Sequence, residues 1–100
     1  MLAHICETRI VDRKSFRREI LEAWGYFCCY CGREANTLDH LVPKALGGGN
    51  NRGNLAACCT RCNLSKGSKS LEGWYRSQPF FNEDSLTRLS NWTVKGVVKY

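Results

Sequence analysis

The sequence lacks any long hydrophobic run. No apolar stretch among its 100 residues approaches the roughly 20 residues that a membrane-spanning helix requires. The N-terminal segment MLAHICETRIVDRK also lacks the continuous apolar core of a secretory signal. These absences predict a soluble protein of the cytoplasm with no membrane partner. Internal repeats and low-complexity tracts are missing too, and the length favours one domain over residues 1–100.

Acidic residues are absent between His40 and Leu71, and the formal net charge of the chain is +6. The basic residues of this acid-free stretch are Lys44, Arg52, Arg61, Lys66 and Lys69. A second basic cluster near the N-terminus consists of Arg9, Arg13, Lys14, Arg17 and Arg18. Clustered cations neutralise phosphates and release condensed counterions. The sequence therefore predicts a nucleic-acid partner that contacts the basic residues of the acid-free stretch, although either cluster alone could be a solvated surface.

The seven cysteines include two pairs with the spacing of zinc ligands, Cys28-x-x-Cys31 and Cys59-x-x-Cys62. A two-residue gap lets a turn direct both sulfurs at one tetrahedral ion, and four thiolates close its coordination shell. We therefore predict a structural Zn²⁺ site. Two disulfides or a thioredoxin-like redox pair are the alternative, which a reducing cytoplasm disfavours. The remaining cysteines, Cys6, Cys29 and Cys58, are expected to be small buried hydrophobes.

The apolar pattern predicts an α+β protein. Phe16, Ile20 and Trp24 recur every four positions, which indicates an amphipathic helix over residues 12–24 that could start at Asp12 or Ser15. Short apolar runs indicate strands over residues 37–42 and 55–58, joined by a glycine- and asparagine-rich loop. Helices are expected over residues 70–81, stopping near Pro79, and over residues 82–92. The final TVKGVVKY, residues 93–100, is expected to form a strand.

Asp39 and His40 stand side by side in the first predicted strand. A carboxylate is a hard oxygen ligand for Mg²⁺ or Mn²⁺, and Asn63, directly after Cys62, can add a carbonyl oxygen. A neutral imidazole at position 40 can take a proton from an attacking water. Asn54 can bond backbone groups and hold the loop that carries His40. Adjacent strand residues point to opposite faces, so Asp39 and His40 can share a site only where the strand twists, bulges or ends.

The stretch CCYCGREANTLDHLVPKALGGGNNRGNLAACCTRCNLSKGS resembles an HNH endonuclease core, and the resemblance covers about residues 26–70. It implies a ββα-metal fold, similar to a treble clef, in which a hairpin and a helix starting near Arg61 enclose one catalytic ion. The family's three signature positions correspond to His40, Asn54 and Asn63, the last being Asn where the family name has His. The resemblance implies that Asp39 and Asn63 bind the ion, that His40 is the general base, that Asn54 belongs to the catalytic set, and that cleavage leaves 5′-phosphate and 3′-hydroxyl ends.

Two functions from different classes follow. The first is an endonuclease that hydrolyses DNA, most simply double-stranded DNA, with one catalytic Mg²⁺ or Mn²⁺ and a structural Zn²⁺, in a core flanked by a basic helix over residues 12–24 and a helical extension over residues 70–100. The second is a zinc-ribbon or treble-clef module that binds nucleic acid without cutting it. A core of this kind could serve phage DNA packaging, an intron, restriction or repair, and the sequence does not specify an oligomeric state.

Overall fold

A two-stranded hairpin packed by helices is the centre of the structure, a computed structural model that describes residues 13–98. Strand β1, Thr37–His40, pairs antiparallel with strand β2, Leu55–Cys58. The register places Asp39 opposite Ala56 and His40 opposite Leu55. Strand β1 is two residues shorter than predicted, because Leu41 N–H bonds Asn54 O and the chain then turns into the loop at Pro43, which has no N–H to offer a strand.

Helix α1, Arg13–Ala23, packs on the hairpin through the predicted apolar face, except that Phe16 is exposed. Ile20 and Leu21 are buried, as is Trp24 just after the helix. Gly25 ends the helix with a φ of +63°, a left-handed conformation that costs glycine little. The Tyr26 N–H then bonds Leu21 O, which closes the helix end. The alternative helix start at Asp12, together with Arg9 and Cys6, lies outside the described residues.

Three further helices follow the hairpin. Helix α2, Thr60–Lys66, starts within a residue of the predicted position, and α3 covers Leu71–Arg76. Helix α4 covers Glu83–Lys95 and begins where the Asn82 side chain accepts a bond from Ser85 N–H. Hairpin and helices together confirm the predicted α+β fold. No helix in the described part of the chain is long and apolar enough to cross a membrane.

The strand predicted over residues 93–100 is wrong for its first three residues, which continue α4. Trp92 is completely buried, donates its indole N–H to Leu55 O at 2.8 Å, and packs edge-on to Trp24. This anchoring keeps the chain helical through Thr93 and Val94, despite their preference for strands. Gly96, with a φ of +75°, then ends the helix. Residues 96–98 form no strand, and residues 99–100 lie outside the described range.

Candidate active site and metal centre

The four paired cysteines come together as the spacing predicted. Their sulfur atoms all lie within 4.8 Å of one another, and Cys31 Sγ is 3.7 Å from Cys59 Sγ. Zn–S bonds of about 2.3 Å in a tetrahedron place sulfurs about 3.8 Å apart. The cluster therefore has the donors and the spacing for Zn²⁺, with no position left for water. Zinc would serve there as a fold-stabilising cross-link.

Each cysteine pair is shaped by its own turn. In the first turn, Tyr30 N–H lies 3.5 Å from Cys28 Sγ, and Gly32 adopts a φ of +80°. In the second, Cys59 caps helix α2 and accepts a bond from Cys62 N–H at 3.4 Å. N–H groups directed at sulfur stabilise thiolate charge. In both pairs the backbone thus stabilises the thiolate form that binds a cation.

Burial and mutual charge act against ionisation of two of these thiols, Cys31 and Cys62, by raising the pKa of each. Burial raises the pKa of Cys62, and the negative charge of Cys28 raises it further. Burial also raises the pKa of Cys31. A bound dication compensates this repulsion, so metal binding is expected to displace protons from the cluster. The neighbouring Cys29 and Cys58 are buried, as predicted for cysteines outside the ligand set.

Asp39 is buried where β1 meets α2, and its carboxylate has two partners, a hydroxyl and an ammonium. The Tyr30 hydroxyl donates to Asp39 Oδ2 at 2.6 Å, and Lys66 Nζ lies 3.2 Å from the same oxygen. Lys66 also donates to His40 O at 2.9 Å. The side chain of Lys66 is completely buried. The prediction that Lys66 contacts nucleic acid is therefore corrected: its ammonium is enclosed, because α2 directs it at the only carboxylate buried among residues 13–98.

Asn63 lies on the same side of the hairpin as Lys66. Its amide nitrogen donates to Leu38 O at 3.2 Å, which ties α2 to the backbone of β1 one residue before Asp39. A carboxylate and an amide oxygen are hard donors of the kind that Mg²⁺ and Mn²⁺ take. The Lys66 ammonium beside Asp39 shows that the same place accepts a positive charge. Asp39 on β1 and Asn63 on α2 thus offer donor groups of the type that such an ion takes.

His40 is the last residue of β1 and faces a different environment. Its Nε2 lies 2.8 Å from Asn50 Oδ1. With Asn50 in this orientation Nε2 carries the hydrogen and Nδ1 is the basic nitrogen. The imidazole opens into a cleft of about 430 Å³ that contains three basic side chains, Arg13, Arg17 and Lys44. His40 therefore combines an oriented imidazole with a positively charged cleft.

The partners of Asp39 and His40 follow the alternation expected of neighbouring strand residues. Asp39 faces α2, whereas His40 faces the cleft beside α1. Both side chains belong to the last two residues of β1. The structure therefore does not bring these two side chains together, and one ligand could touch both only at this end of the hairpin, where the strand stops.

Asn54 holds the loop that follows His40. Its Oδ1 accepts a bond from Val42 N–H at 2.8 Å, and its Nδ2 donates to Val42 O at 3.1 Å and to Gly49 O at 2.9 Å. The bonds join the start and the middle of the loop to one buried side chain. A Cβ on Gly48 would lie 1.7 Å from Val42 O, so this close approach requires glycine. Asn54 thereby fixes the backbone that emerges from β1.

Arg52 is engaged within the protein, although the sequence predicted a nucleic-acid contact. Its guanidinium pairs with Glu19 at 2.9 Å, donates to Gly96 O at 2.9 Å, and lies 4.2 Å from the centre of the Trp92 ring. One side chain thus joins α1, the loop and α4. Of the other predicted contacts, Lys44 lies in the His40 cleft, Arg61 is exposed, and Lys69 is exposed while donating to Ser65 O.

Sequence reasoning missed several residues of this site. Arg13 and Arg17 had been placed in a general basic cluster, and their i, i+4 spacing was the signal that both could face one cleft. The sequence places Asn50 only in the glycine- and asparagine-rich loop and predicts no role for Tyr30. Nothing in the sequence indicated that the Tyr30 hydroxyl would bond Asp39, because the contact depends on how the cysteine cluster packs on the hairpin.

The sequence profile described as HNH endonuclease matches residues 28–76, the span that contains the cysteine cluster, the hairpin and α2. The HNH endonuclease family predicted from the sequence is thereby confirmed for this span of the chain.

Among its relatives is the CRISPR-associated endonuclease Cas9 of Actinomyces naeslundii, which is 35% identical over 78% of this chain. The Cas9 of Corynebacterium diphtheriae is 42% identical over 67% of this chain. The crystal structure of the Type II-C Cas9 enzyme from Actinomyces naeslundii superposes with a TM-score of 0.61 at 31% identity over 84% of this chain. The chain spans 9% and 7% of the length of the two curated relatives and 11% of the crystallised chain.

Proposed function

We propose that this protein hydrolyses phosphodiester bonds of double-stranded DNA with one catalytic divalent ion, and that zinc in the cysteine cluster only braces the fold. The observation that carries the proposal is His40: a histidine oriented by Asn50, at the end of the strand that also presents Asp39. A module that only binds nucleic acid has no need of an oriented imidazole there.

The cleft around His40 supports a polyanionic substrate. Arg13, Arg17 and Lys44 line it together with the histidine, so a phosphate placed there would meet positive charge from α1 and from the loop. The Arg17 guanidinium also donates to Asn36 O, and this bond links α1 to the residue just before β1. DNA is the substrate we infer, and both relatives carry the name endonuclease.

Asp39 and Asn63 would hold the catalytic Mg²⁺ or Mn²⁺. When bound, such an ion supplies charge stabilisation to a phosphate oxygen and to the leaving oxygen. His40 Nδ1 accepts a proton from the attacking water while Nε2 stays bonded to Asn50. The P–O bond to the 3′-oxygen breaks as the water oxygen adds to phosphorus, and the 3′-oxygen takes a proton from solvent water, which leaves 5′-phosphate and 3′-hydroxyl ends. Asn54 contributes by fixing the loop beside His40 and need not touch the substrate.

The alternative, a binding module that does not cut, has one observation in its favour. Tyr30 and Lys66 already satisfy Asp39 without any divalent ion. In such a module Asp39 would be a buried structural group, and His40 would be a surface contact for nucleic acid.

A cleavage assay separates the two functions. Purified zinc-loaded protein is incubated with plasmid DNA with and without Mg²⁺ or Mn²⁺, beside the His40→Ala variant. Removing a general base typically lowers the rate by about 10²- to 10⁴-fold, whereas zinc content and DNA binding should stay unchanged. Equal cleavage by both proteins would remove His40 from the mechanism, and an inactive wild type that still binds DNA would favour the binding module.

A further inference from the structure

Lys66 is the residue of the site whose role the proposed reaction leaves open. Its side chain is fully buried, yet it carries an ammonium group directly beside Asp39, a proposed ion ligand. A buried lysine is rare, because removing the charge from water is costly unless a counter-charge compensates it. Asp39 Oδ2 at 3.2 Å provides that counter-charge, and His40 O at 2.9 Å provides a second acceptor.

The pair also determines the charge that an incoming ion would meet. Asp39 contributes one negative charge and Lys66 one positive charge, so the two together are neutral. A dication approaching Asp39 would be attracted by the carboxylate and repelled by an ammonium only 3.2 Å from one of its oxygens. The Tyr30 hydroxyl occupies that same oxygen at 2.6 Å, so Oδ2 is fully engaged within the protein. A divalent ion at either carboxylate oxygen would lie close to the ammonium, so the two cations would compete for Asp39.

We propose that Lys66 is a built-in competitor of the catalytic ion, an ammonium that holds Asp39 until a divalent cation displaces it. This inference rests on the proposed function, because it takes Asp39 as a ligand of that ion. The bond from Lys66 to His40 O lets the lysine move off the carboxylate while it stays attached to β1. Lys66 is thus a positioning residue. It lowers the affinity of Asp39 for the ion, and it neutralises the buried carboxylate when no ion is bound.

The test measures Mn²⁺ binding by zinc-loaded protein, using the electron paramagnetic resonance signal of free Mn²⁺. The Lys66→Met variant keeps the length of the side chain and removes its charge. We expect it to bind Mn²⁺ at least ten-fold more tightly than the wild type. Lys66→Arg keeps the charge and should bind with nearly wild-type affinity. Lys69→Met lowers the net charge of the protein by the same amount, but at an exposed position, and should leave the Mn²⁺ affinity unchanged.

Folding is followed in the same samples, because Lys66→Met leaves Asp39 buried without its counter-charge. We expect its melting temperature to be lower than that of the wild type and to be raised more by Mn²⁺. The double variant Asp39→Asn with Lys66→Met removes both charges and should fold without responding to Mn²⁺. A Lys66→Met protein that binds Mn²⁺ no more tightly than the wild type overturns the proposal. So does one that stays unfolded at saturating Mn²⁺, since the ion then cannot take the place of the lysine.

Cleavage by His40→Ala and Mn²⁺ binding by Lys66→Met test the reaction mechanism and the ion competition separately. If His40→Ala cleaves like the wild type, the reaction mechanism falls, but tighter Mn²⁺ binding by Lys66→Met would still show the competition. If cleavage depends on His40 and Lys66→Met gains no affinity, the nuclease stands and the competition is refuted.

Discussion

Asn54 offers the sharpest test of how the hairpin positions His40. Replacing it by alanine removes three hydrogen bonds to the loop backbone, to Val42 N–H, Val42 O and Gly49 O. Each bond contributes about 1 kcal/mol on average. These groups are only partly buried, so water can replace some partners, and we expect a net loss of about 2 kcal/mol in the free energy of unfolding.

In a domain of this size that loss corresponds to a fall in melting temperature of roughly 8–16 °C. The assay is thermal unfolding of zinc-loaded protein, with hydrogen exchange of the Val42 amide as the local readout. Asn51→Ala, three residues earlier on an exposed part of the loop, is the matched control and should change little. Cleavage by Asn54→Ala should fall together with Val42 protection, because the loop beside His40 loosens. An Asn54→Ala protein that melts within about 2 °C of the wild type, well under the shift expected for one such bond, while losing all activity, would refute the loop-holding role and indicate direct contact with the substrate.

Four other variants test other contacts described above. Cys31→Ser should release zinc and unfold the domain, measured by a colorimetric zinc assay and circular dichroism; a folded, metal-free variant would contradict the zinc assignment. Arg52→Met should destabilise the protein by about 1–2 kcal/mol, because the ion pair and the ring contact are lost, and should leave DNA affinity unchanged. Lys44→Met should weaken DNA binding and reduce its salt dependence without loss of stability. The reverse pattern in unfolding and salt titrations would overturn both roles. Asn50→Ala should lower the cleavage rate about ten-fold or more because the His40 ring loses its orientation, and single-turnover kinetics that match the wild type would exclude that role.

Local patterns in the sequence predicted the parts of the structure that depend on local geometry. The two-residue cysteine gaps predicted the sulfur cluster, since each gap forms one turn whatever surrounds it. The apolar repeat of α1 and the short run of β2 likewise specified their own elements. The α+β core, and the family that it resembles, could therefore be predicted from the residues alone.

Contacts between distant segments were not predictable in this way. Lys66 in a sequence looks like any solvated lysine, and its burial arises only because α2 packs on a strand that carries Asp39. Arg52 looks like a phosphate contact until Glu19 and Trp92, from opposite ends of the chain, are placed beside it. The end of the chain was mispredicted for the same reason, because strand-forming residues stay helical once Trp92 is fixed in the core. The catalytic roles of His40, Asp39, Asn54 and Asn63 stay predictions.

Helix α2 has only seven residues, Thr60–Lys66, and carries a cysteine of the sulfur cluster, Cys62, directly before the proposed ion ligand Asn63. Each residue of an α-helix advances the side chains by about 100° around the axis. Inserting one alanine between these two positions would leave the cysteine spacing intact and rotate both Asn63 and Lys66 away from the strand. The angular position of residues around this short helix would thus link the cysteine cluster to the proposed ion site, so that the scaffold could survive an insertion that the reaction could not.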